Sequence, residues 1–263
     1  MERLITDFYR NVLMLKYLFP FSYFYFSRVK SLLGLIFLFS WELIPNLLIL
    51  IFLSGLTTFE ALKNFGLSYI LFISFYELGY IMNDLYSFKK EKDGRKRLGD
   101  FEPNNLHIFI LVAIRILVFI GVTLIGKFYF KPLFFIFYLV LGLIFFAHNT
   151  LKSKDLKTLT FVNLATLRFY APSFLFLSSE VVAVTLFPAL IFYVFYRTLS
   201  YMDSKDLLRM ASKETDSFKL GFYISLIGLS VFVSALQNSY VPIIANGYYL
   251  FWVLSLMAYR RIR

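Results

Sequence analysis

Residues 105–126 read Asn105-Leu-His-Ile-Phe-Ile-Leu-Val-Ala-Ile-Arg115-Ile-Leu-Val-Phe-Ile-Gly-Val-Thr-Leu-Ile-Gly126, and Arg115 is the only Asp, Glu, Lys or Arg among them. As an α-helix this stretch is about 33 Å long, enough to cross a hydrocarbon layer of about 30 Å. It lacks the polar–apolar alternation of a barrel strand. Working outward, seven more apolar stretches of similar length lie near 31–56, 64–88, 132–149, 158–178, 181–203, 218–236 and 241–259. The composition agrees, with 59% apolar residues, 16% charged residues and a mean hydropathy of +0.71. A soluble fold of this size cannot hide so much apolar surface. The expectation is an all-α, polytopic helical membrane bundle of about eight transmembrane helices. Short connectors leave residues 1–263 as a single membrane-embedded domain. Residues 1–30, with Pro20 inside the aromatic run 17–26, read as an N-terminal interfacial segment held by Arg10, Lys16, Arg28 and Lys30.

The charge pattern gives an orientation. Of the 27 Lys and Arg, 21 fall on the N-terminal stretch, on the second–third, fourth–fifth and sixth–seventh loops and on the C-terminus. The other loops carry only Lys63, Lys127 and Lys131, and Arg115, Arg168 and Arg197 lie inside spans. This bias places both termini on the cytoplasmic side of a cell membrane, as a multi-pass protein. It also accounts for the net charge of +11 without nucleic acid as a partner. The absence of cysteine excludes disulfides, thiolate catalysis and thiolate–metal sites. No short apolar run followed by a small-residue cleavage site marks a removable signal peptide. P-loop and His-Glu-x-x-His patterns are absent, and Asp93-Gly-Arg-Lys-Arg97 lacks the rest of a CDP-alcohol phosphotransferase motif.

Acidic residues gather at two span ends. Glu77, Asp84 and Glu91 are spaced by seven and share one helix face, with Tyr80 and Ser87 between them. Asp203 and Asp206, spaced by three, share a face at the end of the sixth span. Carboxylate pairs of this kind hold Mg²⁺, whose shell the phosphates of a substrate complete. Ionisable groups at membrane depth default to a functional reading, against the plainer one of solvated helix ends.

These residues carry a resemblance. Asn83-Asp84-x-x-Ser87-x-x-x-Glu91 resembles the N-D-x-x-D-x-x-x-D motif of the UbiA superfamily of intramembrane prenyltransferases. Asp203-x-Lys205-Asp206-x-x-x-Met210 resembles its second motif, D-x-x-D-x-x-x-D. His148-Asn149-x-x-Lys152-Ser153 stands where that family often has Tyr-Pro-x-x-Lys-Arg. The order and spacing cover about residues 30–240. Ser87 and Met210 replace acids, and a ninth span is missing. The resemblance implies a UbiA-like bundle whose central, aromatic-lined cavity opens to the cytoplasm. In it Asp84 faces Asp203, and Mg²⁺ is held by Asn83, Asp84, Glu91, Asp203 and Asp206, with Asp84 and Asp203 as the catalytic acids. Lys89, Arg95, Arg97, Lys152, Arg168 and Lys205 would bind diphosphate. The implied activity moves a prenyl group from a prenyl diphosphate to an unidentified acceptor. Alternatives are a terpene cyclase or phosphoribosyl-type transferase on the same scaffold, or a non-catalytic membrane binding or transport protein.

Four more residues stay open at this level. Arg168 requires an anionic partner or a watery cavity. Glu42 and Arg115 form an internal pair or face a cavity. His107 reads as interfacial, and Arg197 as reaching to the cytoplasmic surface.

Overall fold

The eight apolar stretches fold as helices: α1 Leu32–Leu53, α2 Thr58–Met82, α3 Asn105–Ile125, α4 Phe134–Thr150, α5 Lys154–Tyr170, α6 Ser179–Ser204, α7 Asp216–Gln237 and α8 Val241–Ile262. The structure is a computed structural model that describes residues 11–87, 97–99, 101–210 and 215–262. Among the described residues there is no strand. Six of the helices are long and apolar enough to cross a membrane. Helix α4 is apolar but has 17 residues. Helix α5 also has 17 and buries Lys157, Thr158 and Arg168. At 1.5 Å per residue such helices reach about 26 Å, short of the hydrocarbon layer. The chain is thus an all-helical membrane protein with six candidate spans among its described residues.

Helix starts follow from local chemistry. The Asn104 side chain accepts from His107 N (2.9 Å), and the His107 ring accepts from Asn104 N (3.4 Å), a reciprocal capping box. Because Nδ1 accepts, Nε2 carries the proton and donates to Asn11 Oδ1 at 2.8 Å. His107 is therefore a buried cap at the start of α3. Ser153, Ser178 and Thr215 cap α5, α6 and α7.

Among the described residues four stretches wind more loosely, as π-type turns: Tyr25–Val29, Phe39–Leu43, Asn83–Ser87 and Ala189–Phe195. A π turn disturbs the regular hydrogen-bond ladder, and such turns recur at functional sites. In the second, the carbonyls of Ser40 and Trp41 accept from the hydroxyls of Tyr248 (2.7 Å) and Tyr249 (3.2 Å).

Contacts divide the chain into two units, Met1–Leu38 with Leu62–Lys152, and Phe39–Ala61 with Ser153–Arg263. The first has a core of Met14, Tyr17, Tyr23, Ile81, Leu98, Phe101 and Leu111. Residues 13–23 of the N-terminal stretch are thus built into this core. Helix α4 lies against α2 at Gly79, where a Cβ would stand 2.5 Å from the Phe145 ring. The Asn149 amide donates to the Gly79 carbonyl there (3.2 Å). In the second unit, buried Trp41 donates to Tyr223 (2.9 Å), whose hydroxyl donates to the Phe192 carbonyl (3.0 Å) and whose ring stacks on Tyr249.

Candidate functional site

Each unit buries carboxylates that find cations inside the protein. In the first, Glu77 is wholly buried on α2 and pairs with equally buried Arg115 of α3 at 3.0 Å. Arg115 also donates to the carbonyls of Tyr17 (2.6 Å), Leu18 (2.7 Å), Leu111 (3.0 Å) and Phe19 (3.2 Å). The other Glu77 oxygen accepts from Phe24 N at 2.7 Å. The chain leaves the helix before Pro20, so the carbonyls of Tyr17 and Leu18 take an outside donor, while that of Phe19 also accepts from Ser22 N (3.1 Å); a guanidinium has five N–H groups to give.

Two turns further, Asp84 sits on the π turn Asn83–Ser87 and is 6% exposed. Arg28 grips it with two bonds, Nη2 to Oδ1 at 2.7 Å and Nη1 to Oδ2 at 2.9 Å. Tyr23 donates its hydroxyl to Oδ2 (3.1 Å), and Asn83 its amide to Oδ1 (3.1 Å). Arg28 also lies over the Tyr80 ring, 4.3 Å from its centroid. Burial and the neighbouring Asp84 charge push the Tyr23 phenol far above its usual range, so it stays a donor. Burial opposes the Arg28 charge, but the hydrogen bonds and charge of Asp84 outweigh it and hold Arg28 firmly protonated.

The second unit repeats the theme. Glu42, 2% exposed on the π turn of α1, takes Arg168 Nε on both oxygens at 2.8 and 2.9 Å. The Tyr193 hydroxyl, on the π turn of α6, donates to Glu42 Oε2 at 2.5 Å. Arg197 lies 5.8 Å from the Tyr193 ring centroid. Arg168 therefore has its anionic partner inside the protein. The open pairing of Glu42 with Arg115 is settled otherwise: Glu42 pairs with Arg168 and Arg115 with Glu77.

The remaining sequence candidates are less buried. Asp203 ends α6 half-buried, and its Oδ1 accepts from Met210 N at 2.8 Å. Asp206 is exposed at a φ of +60°, with Lys154 Nζ 4.0 Å from its carboxylate. Lys205 Nζ lies 6.0 Å from the Tyr201 ring centroid. Lys152 is exposed just beyond α4, and Arg97 is half-buried. Glu91, Lys89 and Arg95 lie outside the described residues, as does the side chain of Ser87. Asp84 belongs to the first unit, and Asp203 and Asp206 to the second. Among the described residues, no three of His, Asp and Glu come together as a metal-binding group. The sequence reading missed the roles of Arg28, Tyr23 and Tyr193. The signal available was Arg28 itself, a cation beside the aromatic run that precedes the acidic helix.

Comparison with protein-family models, with curated proteins and with solved structures finds no match for this chain.

Proposed function

We propose that the chain is a divergent, UbiA-like intramembrane protein that binds a prenyl diphosphate with Mg²⁺ and transfers the prenyl group to an acceptor. The observation that carries this reading is the end of α6. There Asp203 and Asp206 sit one turn apart, with Lys154 4.0 Å from Asp206 and Lys205 between the two acids. Two carboxylates suffice for Mg²⁺ when a substrate's phosphates fill the remaining positions. Asp203 and Asp206 fit that donor set. Asp84, bound to Arg28, does not. When bound, Mg²⁺ would supply charge neutralisation for the departing diphosphate. Lys154 and Lys205 add fixed positive charge beside the same group. Tyrosine and phenylalanine faces shield an allylic cation, as the Tyr80 ring does for Arg28. In this reading α4 and α5 complete a set of eight spans, in a cell membrane with both termini cytoplasmic. Reporter fusions at residues 1 and 263 test that orientation, and opposite sides for the two ends would break it.

The test of function uses the full chain in detergent or lipid nanodiscs with farnesyl or geranylgeranyl diphosphate. Binding is expected to require Mg²⁺ and to weaken at least about tenfold, or 1.4 kcal/mol, in Asp203→Asn. Binding that is indifferent to both Mg²⁺ and Asp203 overturns the reading. The bidentate Arg28 grip on Asp84 favours a second one, a non-catalytic prenyl diphosphate binder. It predicts binding without pyrophosphate release. Pyrophosphate released without any acceptor identifies a cyclase instead.

A further inference from the structure

The surroundings of Asp84 conflict with the metal role that the motif implies. A carboxylate offers about four lone-pair positions on its two oxygens. At Asp84 four donors fill them: Arg28 Nη1 and Nη2, Tyr23 Oη and Asn83 Nδ2, all between 2.7 and 3.1 Å. No lone pair is left to ligate a cation. Arg28 does not lose its proton at accessible pH, so its charge is permanent. A divalent ion at Asp84 would have to displace a guanidinium that is only 12% exposed and rests on Tyr80. The sequence agrees from another direction. The motif's middle acid is Ser87 here. With that carboxylate gone, Asp84 and Glu91 are the acids left in the motif, and the guanidinium of Arg28 balances the charge of Asp84.

We propose that Arg28 has replaced a divalent cation at the first acidic motif. Asp84 is a positioning residue that binds Arg28, and any metal requirement of the protein rests on other acids. The pair also fastens the stretch 17–28 to α2 by a charge that cannot be chelated away. This inference stands on the first unit alone and needs no assumption about the substrate.

Mn²⁺ is the probe, counted by electron paramagnetic resonance on the full chain in detergent. Wild type and Arg28→Gln/Asp84→Asn are expected to bind the same number of Mn²⁺ ions with dissociation constants within twofold. This double variant removes both charges together and keeps hydrogen-bonding groups, so it leaves no unpaired buried ion. Arg28→Gln alone uncovers Asp84 and is expected to gain one Mn²⁺ per chain. A Mn²⁺ ion that wild type holds and the double variant loses overturns the proposal. So does a folded Arg28→Gln protein that gains none. Failure of prenyl diphosphate binding would sink the functional reading and leave this result standing. A Mn²⁺ site at Asp84 would do the reverse.

Discussion

Glu77 and Glu42 are both buried carboxylates in a membrane protein, and each is neutralised by an arginine from another helix. Around Glu77 the wiring runs to backbone. Its arginine donates to four carbonyls, and its own oxygen takes the Phe24 amide. Around Glu42 the wiring runs to side chains, Arg168 and Tyr193. The first pair therefore fixes the path of a chain segment that is not helical. The second joins α1, α5 and α6, all regular apart from local π turns. A buried charge that satisfies backbone is harder to replace, since its loss orphans carbonyls that no rotamer change can turn away.

Mutation can break this contrast, and the largest loss belongs to Arg115. Arg115→Met leaves Glu77 unpaired and takes the guanidinium donor from the carbonyls of Tyr17 and Leu18, and is expected to destabilise the fold by about 3–5 kcal/mol. Unfolding in detergent measures it, and a loss below about 1 kcal/mol would show that residues 17–19 do not depend on it. Arg168→Met comes next, at about 3 kcal/mol from the unpaired Glu42 charge. Here Glu42→Gln added to Arg168→Met is expected to recover most of the loss. Glu77→Gln added to Arg115→Met is expected to recover less, because the carbonyls stay orphaned. Equal recovery in the two units would erase the contrast. Tyr193→Phe removes one hydrogen bond to a carboxylate, for about 1.5–3 kcal/mol. The smallest effect is that of Arg260→Ala. It breaks a pair with Asp216 that is exposed on the arginine side, for at most about 1 kcal/mol, fading with added salt.

The helices were legible because 20-residue apolar runs leave few alternatives. The need of Arg168 for an anion was legible too, from its depth in the fifth stretch. The identity of that anion was not. Helical periodicity tells which residues share a face, as it does for Glu77 and Asp84, but not which helix the face meets. Hence Glu42 and Arg115 stayed open, as an internal pair or as facing a cavity, when each had another partner. Arg28 looked like an interfacial anchor because positive-inside bias explains any arginine near a span end. Asp84 shows the limit most clearly. Its spacing matches an acidic metal motif, while three of its four hydrogen bonds come from residues 56 and 61 positions upstream. The π turns that carry Arg28, Glu42, Asp84 and Tyr193 have no sequence signature to read.

Arg115 stands 38 residues after Glu77 in the chain. A ribosome making about 5–20 residues per second delivers it roughly 2–8 s later. For that interval the nascent second helix carries a carboxylate without the guanidinium it will pair with, and the carbonyls of Tyr17 and Leu18 wait for their donor. The insertion machinery must shelter both until the third helix arrives. Biosynthesis of this protein thus has an order in which residues 17 and 18, made early, settle only once the third helix has followed.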